Sequence, residues 1–121
     1  MDIVKSLDSF EQIKFENTFV LTYFSGPDCS VCNALKPKIE ELGSRLSSEV
    51  VITEIPVEDL PDLAAKYSVF TVPVILFFVE GREYIRLARY IDTSILYQKV
   101  EKIIGLYNDW IWLFMLFSLK N

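Results

Sequence analysis

Two cysteines, Cys29 and Cys32, are separated by two residues in the stretch Ser25-Gly26-Pro27-Asp28-Cys29-Ser30-Val31-Cys32, and a chain of 121 residues holds no other cysteine and no histidine. Two sulfurs at that spacing can close a structural disulfide, supply half of a tetrahedral metal site, or make and break a disulfide with partner thiols. A bridge across two residues closes so small a loop that it removes little chain entropy, which makes a staple a poor reason for the pair. A metal needs four ligands. Without histidine the chain offers only the two thiolates, so zinc or an iron–sulfur cluster would have to be shared between two copies. Redox exchange needs the pair alone.

The composition narrows the surroundings of that chemistry. Half of the residues are apolar (51%) and 14% are aromatic, ample for one core in a chain of this size. Seventeen acidic against twelve basic side chains give a net charge of −5 without a basic cluster, which argues against nucleic acid as a partner. The start, Met1-Asp2-Ile3-Val4-Lys5-Ser6-Leu7-Asp8, lacks the basic and then apolar regions of a secretory signal, so the expected location is cytoplasmic. A permanent disulfide is rare in such a reducing compartment.

The elements that must position the cysteines can be read from periodicity. Leu7, Phe10 and Ile13 predict a first helix over about residues 6–15, with Ser6 or Asp8 as its cap. Thr18 to Phe24 is a β-branched and aromatic run that predicts a strand buried on both faces and leading directly into the cysteine loop. Val31 to Leu46 places Leu35, Ile39, Leu42 and Leu46 on one helical face, with Pro37 inside the pattern as a source of a bend. Glu49 to Ile55 predicts a strand and Pro61 to Tyr67 a short helix. Val74 to Val79 and Glu83 to Ala88 around Glu80-Gly81 predict a hairpin, and Ser94 to Tyr107 a last helix capped by Thr93 or Ser94. The expected class is α/β, a mixed central sheet flanked by helices.

In this order the chain resembles the thioredoxin family from about residue 5 to residue 106. Three features carry the resemblance: Cys29-Ser30-Val31-Cys32 between a strand and a helix, Thr71-Val72-Pro73 before a hairpin, and Pro37 five residues after Cys32. The segment Val57 to Glu83, VEDLPDLAAKYSVFTVPVILFFVEGRE, is similar to its thioredoxin counterpart in length and pattern. Glutaredoxins share a CxxC and a TVP, but here a helix and a strand precede Cys29, and the Gly-Gly and Asp pattern for glutathione does not follow the hairpin. The resemblance implies a thioredoxin fold, a βαβ unit followed by a ββα unit with an N-terminal helix and strand. It divides the chain into a thioredoxin-like domain, 1–107, and an apolar extension, 108–121.

The chemistry follows from position. Free N–H groups and the positive end of the dipole at a helix N-terminus favour a thiolate, so Cys29 is expected to be the nucleophile and Cys32, one turn further on, the resolving thiol. The resemblance implies a cis peptide bond before Pro73 and a substrate groove lined by Val72, Pro73 and Asp28. Asp28, Ser30 and Val31 stand where thioredoxins have Trp and Gly-Pro. A carboxylate beside Cys29 disfavours the thiolate and repels acidic substrates. Tyr23 and Glu54 occupy the places of the family's buried Asp and its Lys partner. They are therefore the expected tuners of cysteine protonation, with Glu54 a proton acceptor if it is buried. Arg89 falls near the family's groove glycine, where a cation would favour the thiolate.

The expected function is a thiol:disulfide oxidoreductase that reduces disulfide-containing substrate proteins and is regenerated by a thioredoxin-reductase-like electron donor, with no bound cofactor or metal. The rival is a non-enzymatic redox sensor or interaction module on the same fold. Trp110 to Leu119 is too short to span a bilayer, and its apolar character makes it a candidate homodimer contact.

Overall fold

The run Phe19-Val20-Leu21-Thr22-Tyr23-Phe24 shows no alternation of apolar and polar residues because both faces of the strand it forms are covered. In the computed structural model, which describes residues 1–120, every residue of this strand, β2 (Phe19–Ser25), is buried. β2 lies at the centre of a five-stranded sheet ordered β1-β3-β2-β4-β5, with β1 Asp2–Ile3, β3 Val50–Pro56, β4 Val74–Val79 and β5 Arg82–Ala88. β1 and β2 run parallel to β3, β4 runs antiparallel to β2, and β5 antiparallel to β4. The sheet is mixed, as expected.

Three helices belong to the same compact unit, Met1–Ile91: α1 Leu7–Glu16, α2 Ser30–Arg45 and α3 Pro61–Lys66. A capping box starts α1, in which Ser6 Oγ accepts from Ser9 N at 3.0 Å and Ser9 Oγ accepts from Ser6 N at 3.1 Å. On one side of the sheet Phe10 and Leu63 join Val20, Phe24, Leu76 and Phe78 in a single cluster. Each fully buried side chain of this size contributes about 1.5–3 kcal/mol. Lys14 belongs to this side too. Its ammonium lies 4.6 Å from the Tyr67 ring centre and 4.9 Å from that of Phe78, donates to the Tyr67 hydroxyl and pairs with Glu11. The other side of the sheet faces α2 and carries the cysteine chemistry.

The β4–β5 hairpin closes through Glu80 and Gly81, whose φ angles of 50° and 79° are both positive, as a tight hairpin turn of the primed type requires. Pro37 sits inside a continuous α2, not at a break.

Three readings of the sequence need correction. β1 was not anticipated: Asp2 and Ile3 pair with Thr53 and Glu54, and two residues are too few to show a period. The last helix, α4 Thr93–Lys120, does not end at Tyr107 but runs on to Lys120, 28 residues in all. Asn108 and Asp109 lower helix propensity only slightly, and the chain beyond them holds neither Gly nor Pro to stop it. Its cap is Asp92, whose Oδ1 accepts from Ser94 N at 2.9 Å and Ile95 N at 3.3 Å; Thr93 is already helical. From Asp92 onward the chain is a compact unit of its own, with Leu96, Val100 and Ile104 buried at every fourth position.

Candidate active site

The C-terminal end of β2 delivers the chain into Gly26-Pro27-Asp28, and α2 begins at once. Cys29 is the N-cap of α2, with extended φ and ψ of −104° and 97°, and its Sγ accepts the Cys32 N–H at 3.1 Å. The Cys29 carbonyl accepts from Asn33 N at 3.1 Å, the first helical bond. Cys29 and Cys32 are joined as a disulfide, so this is the oxidised state. Cys29 is half-buried at the rim, whereas Cys32 is 2% exposed. An incoming thiol therefore meets Cys29 first.

Beneath Cys32 lies a polar cluster enclosed between α2 and the sheet. The Tyr23 hydroxyl donates to the Cys32 carbonyl at 2.7 Å. Tyr23 pairs in register with Glu54 on β3, and side chains of paired residues stand on the same face. Glu54 is 8% exposed; its Oε2 accepts from Ser25 Oγ at 2.8 Å and its Oε1 lies 3.0 Å from Lys36 Nζ on α2. That lysine contact is an ion pair without hydrogen-bond alignment, since Oε1 accepts no hydrogen bond among the described residues. The Lys36 ammonium is half-exposed, so the pair adds little to stability while holding a charge over the carboxylate. Burial, and secondly the charge of Glu54, push the Tyr23 hydroxyl up to about 12, so it is a fixed donor.

Beside the cysteine loop runs the segment before β4. The Val72–Pro73 peptide bond is cis. Val72 lies against Gly26 so closely that a Cβ at position 26 would come within 2.8 Å of Val72 Cγ2. Pro73 is buried and its carbonyl accepts from Arg89 N at 3.1 Å. Val72 thus borders the loop that carries Asp28 and Cys29, and Pro73 and Arg89 follow it at the start of β4 and the end of β5. Asp28 and Arg89 are exposed and hold positive φ angles of 51° and 66°.

Of the residues singled out from the sequence, Cys29, Cys32, Tyr23 and Glu54 are linked through α2 and the sheet, and Val72 and Pro73 flank them. Ser25 and Lys36 were missed. Ser25 falls on the same strand face as Tyr23, two residues on, and Lys36 lies one helical turn after Cys32; these offsets were the available signal.

The sequence profile described as Thioredoxin matches residues 3–102. The chain is similar to the thioredoxin-like protein YdfQ of Bacillus subtilis (strain 168), 34% identical over 103 residues that cover 85% of this chain and 91% of that one. It is 28% identical to the thioredoxin of the same organism over 108 residues, 89% of this chain and 97% of the relative. Among solved structures, the X-ray structure of Fasciola hepatica thioredoxin superposes with a TM-score of 0.77 at 25% identity, covering 84% of this chain and 98% of that one.

Proposed function

Because the chain belongs to the thioredoxin family, whose profile spans most of it, we propose that the general thiol–disulfide oxidoreductase activity of that family takes here the form of protein-disulfide reduction through a mixed disulfide on Cys29. The observation that carries this reading is the position of Cys29 Sγ, which accepts the Cys32 N–H at the start of α2 and lies at the accessible side of the pair. A donor that stabilises a sulfur lone pair stabilises a thiolate more.

In the reduced form the Cys29 thiolate attacks one sulfur of a substrate disulfide, forms a Cys29–substrate bond and expels the other substrate sulfur as thiolate. Cys32 then loses its proton and attacks Cys29 Sγ, which breaks the mixed disulfide, releases the second substrate thiolate and forms the Cys29–Cys32 bond. Two electrons pass to the substrate. An electron donor of the thioredoxin-reductase type returns the pair to dithiol, and a reducing compartment such as the cytoplasm suits that direction. Glu54 takes the Cys32 proton, supported by its burial, its place beside Tyr23 and its links to Ser25 and Lys36. Val72 and Pro73 border the groove for an extended substrate segment, and Asp28 selects against acidic ones.

The test is insulin disulfide reduction with dithiothreitol as electron donor, comparing the wild type with Cys29→Ser and Cys32→Ser. Acceleration that disappears in Cys29→Ser is expected. A wild type that does not accelerate the reaction would leave the sensor or interaction module as the function.

A further inference from the structure

The helix α4 changes character along its length. Up to Ile104 its buried positions, Leu96, Val100 and Ile104, form one stripe. Beyond Asp109 the apolar residues no longer keep to a stripe. From Trp110 to Leu119 every residue but Ser118 is apolar, and all of these except half-buried Ile111 are exposed, Phe117 at 68%. At roughly 100° per residue these side chains leave no gap wider than about 60° around the helix axis. The family profile ends at residue 102, so the segment is not accounted for by the oxidoreductase fold.

A groove or a single partner helix covers one stripe and leaves the rest of such a circumference in water. The segment is about 15 Å long, under three helical turns, so a second copy paired along one stripe would leave the side chains of the opposite face in water. Hydrocarbon chains surround a helix from all sides but the one facing water. No charged residue occurs between Asp109 and Lys120, and the chain as a whole is acidic at −5, which matches an uncharged surface and not an anionic one. No helix of the described residues is long and apolar enough to cross a membrane. With a charge at each end of the apolar stretch, a helix lying along the interface lets both Asp109 and Lys120 reach water. We propose that residues 110–119 dock this protein on an uncharged lipid surface, lying in the interface with acyl chains around them.

Both tryptophans of the chain, Trp110 and Trp112, lie in this segment, so tryptophan emission reports on it alone. The full chain is titrated with phosphatidylcholine vesicles and, separately, with vesicles rich in phosphatidylglycerol, and followed by emission and by co-sedimentation. The expected result is a blue shift and co-sedimentation with phosphatidylcholine that persist at high salt, and weaker binding to the anionic vesicles. The double variant Phe114→Asp/Phe117→Asp should lose at least tenfold in partitioning while its circular dichroism and its disulfide formation remain those of the wild type. Unchanged emission with no co-sedimentation overturns the proposal. So does a concentration-dependent dimer, dissolved by the double variant, that persists in the presence of vesicles, because the second copy is then the occupant.

Discussion

The Tyr23 hydroxyl donates to the backbone carbonyl of Cys32 at 2.7 Å, so a residue of the central strand holds the first turn of the helix that carries the cysteines. Strand and helix are thereby fixed to each other at Cys32. Where the family keeps a carboxylic acid, this chain keeps a phenol.

Replacing Tyr23 with Phe removes that tie while preserving the ring. The expected loss is about 1 kcal/mol of folding stability, read from urea denaturation of the oxidised protein. A change of only a few tenths would mean that the bond holds nothing. The same hydroxyl sets an alkaline limit. Its proton is bound more tightly in the folded chain than in the unfolded one, so its contribution is complete below pH ~10 and is lost as the pH rises through about 12. A spectrophotometric titration should show one fewer late tyrosine in Tyr23→Phe than in the wild type, because Tyr67, raised by its own burial and by Glu11, stays late in both.

Glu54→Gln keeps the shape of the side chain and removes its capacity to take a proton. Stopped-flow kinetics on a mixed disulfide with Cys29 should show resolution slowed by roughly 10²-fold, the size of a positioned base. Attack of Cys29 on substrate should change far less. Equal slowing of both steps would assign Glu54 a structural part only.

At Gly26 a methyl group would meet Val72 Cγ2 at 2.8 Å, the tip of a side chain that can move away. Gly26→Ala is therefore expected to fold, to displace Val72, and to lower kcat/KM for a protein disulfide several-fold while leaving reaction with a small disulfide nearly unaltered. Equal rates on both substrates for variant and wild type would remove Val72 from the substrate groove.

Arg89 holds a φ of 66°, a left-handed conformation that costs an L-residue about 1–2 kcal/mol. Arg89→Gly relieves it, less the extra chain entropy that glycine brings to the unfolded state, for a net gain of about 0.5–1 kcal/mol in thermal or urea denaturation. A loss of stability would show that the arginine side chain repays its backbone strain.

The cysteine pair and the hairpin could be read from the sequence because each is specified by neighbours within a few residues, whereas the cis bond before Pro73 came only with the family resemblance. Tyr23 and Glu54 could be marked only by their register in a family, and what they touch depends on a parallel pairing between β2 and β3 that no local pattern encodes. Ser25 and Lys36 stayed hidden for that reason, since a serine at a strand end and a lysine on a helix are ordinary until Glu54 is placed between them. β1 is held by pairing to Thr53 and Glu54, not by any period of its own. The end of α4 is not legible in the sequence because Asn108 and Asp109 mark a change of composition without breaking a helix.

The N-cap of α2 is a sulfur. Helices are best started by serine, threonine, aspartate or asparagine, whose oxygens accept hydrogen bonds more strongly than a thiol or a disulfide does. At position 29 the demand of the fold and the demand of the chemistry therefore point to different amino acids. Selection for heat resistance alone would drive this position toward an oxygen side chain and would extinguish electron transfer in doing so. While the pair is oxidised α2 therefore starts on a weak cap, and only in the thiolate form proposed above would the same sulfur become a charged acceptor, so that the helix start would be strongest in the state that reacts.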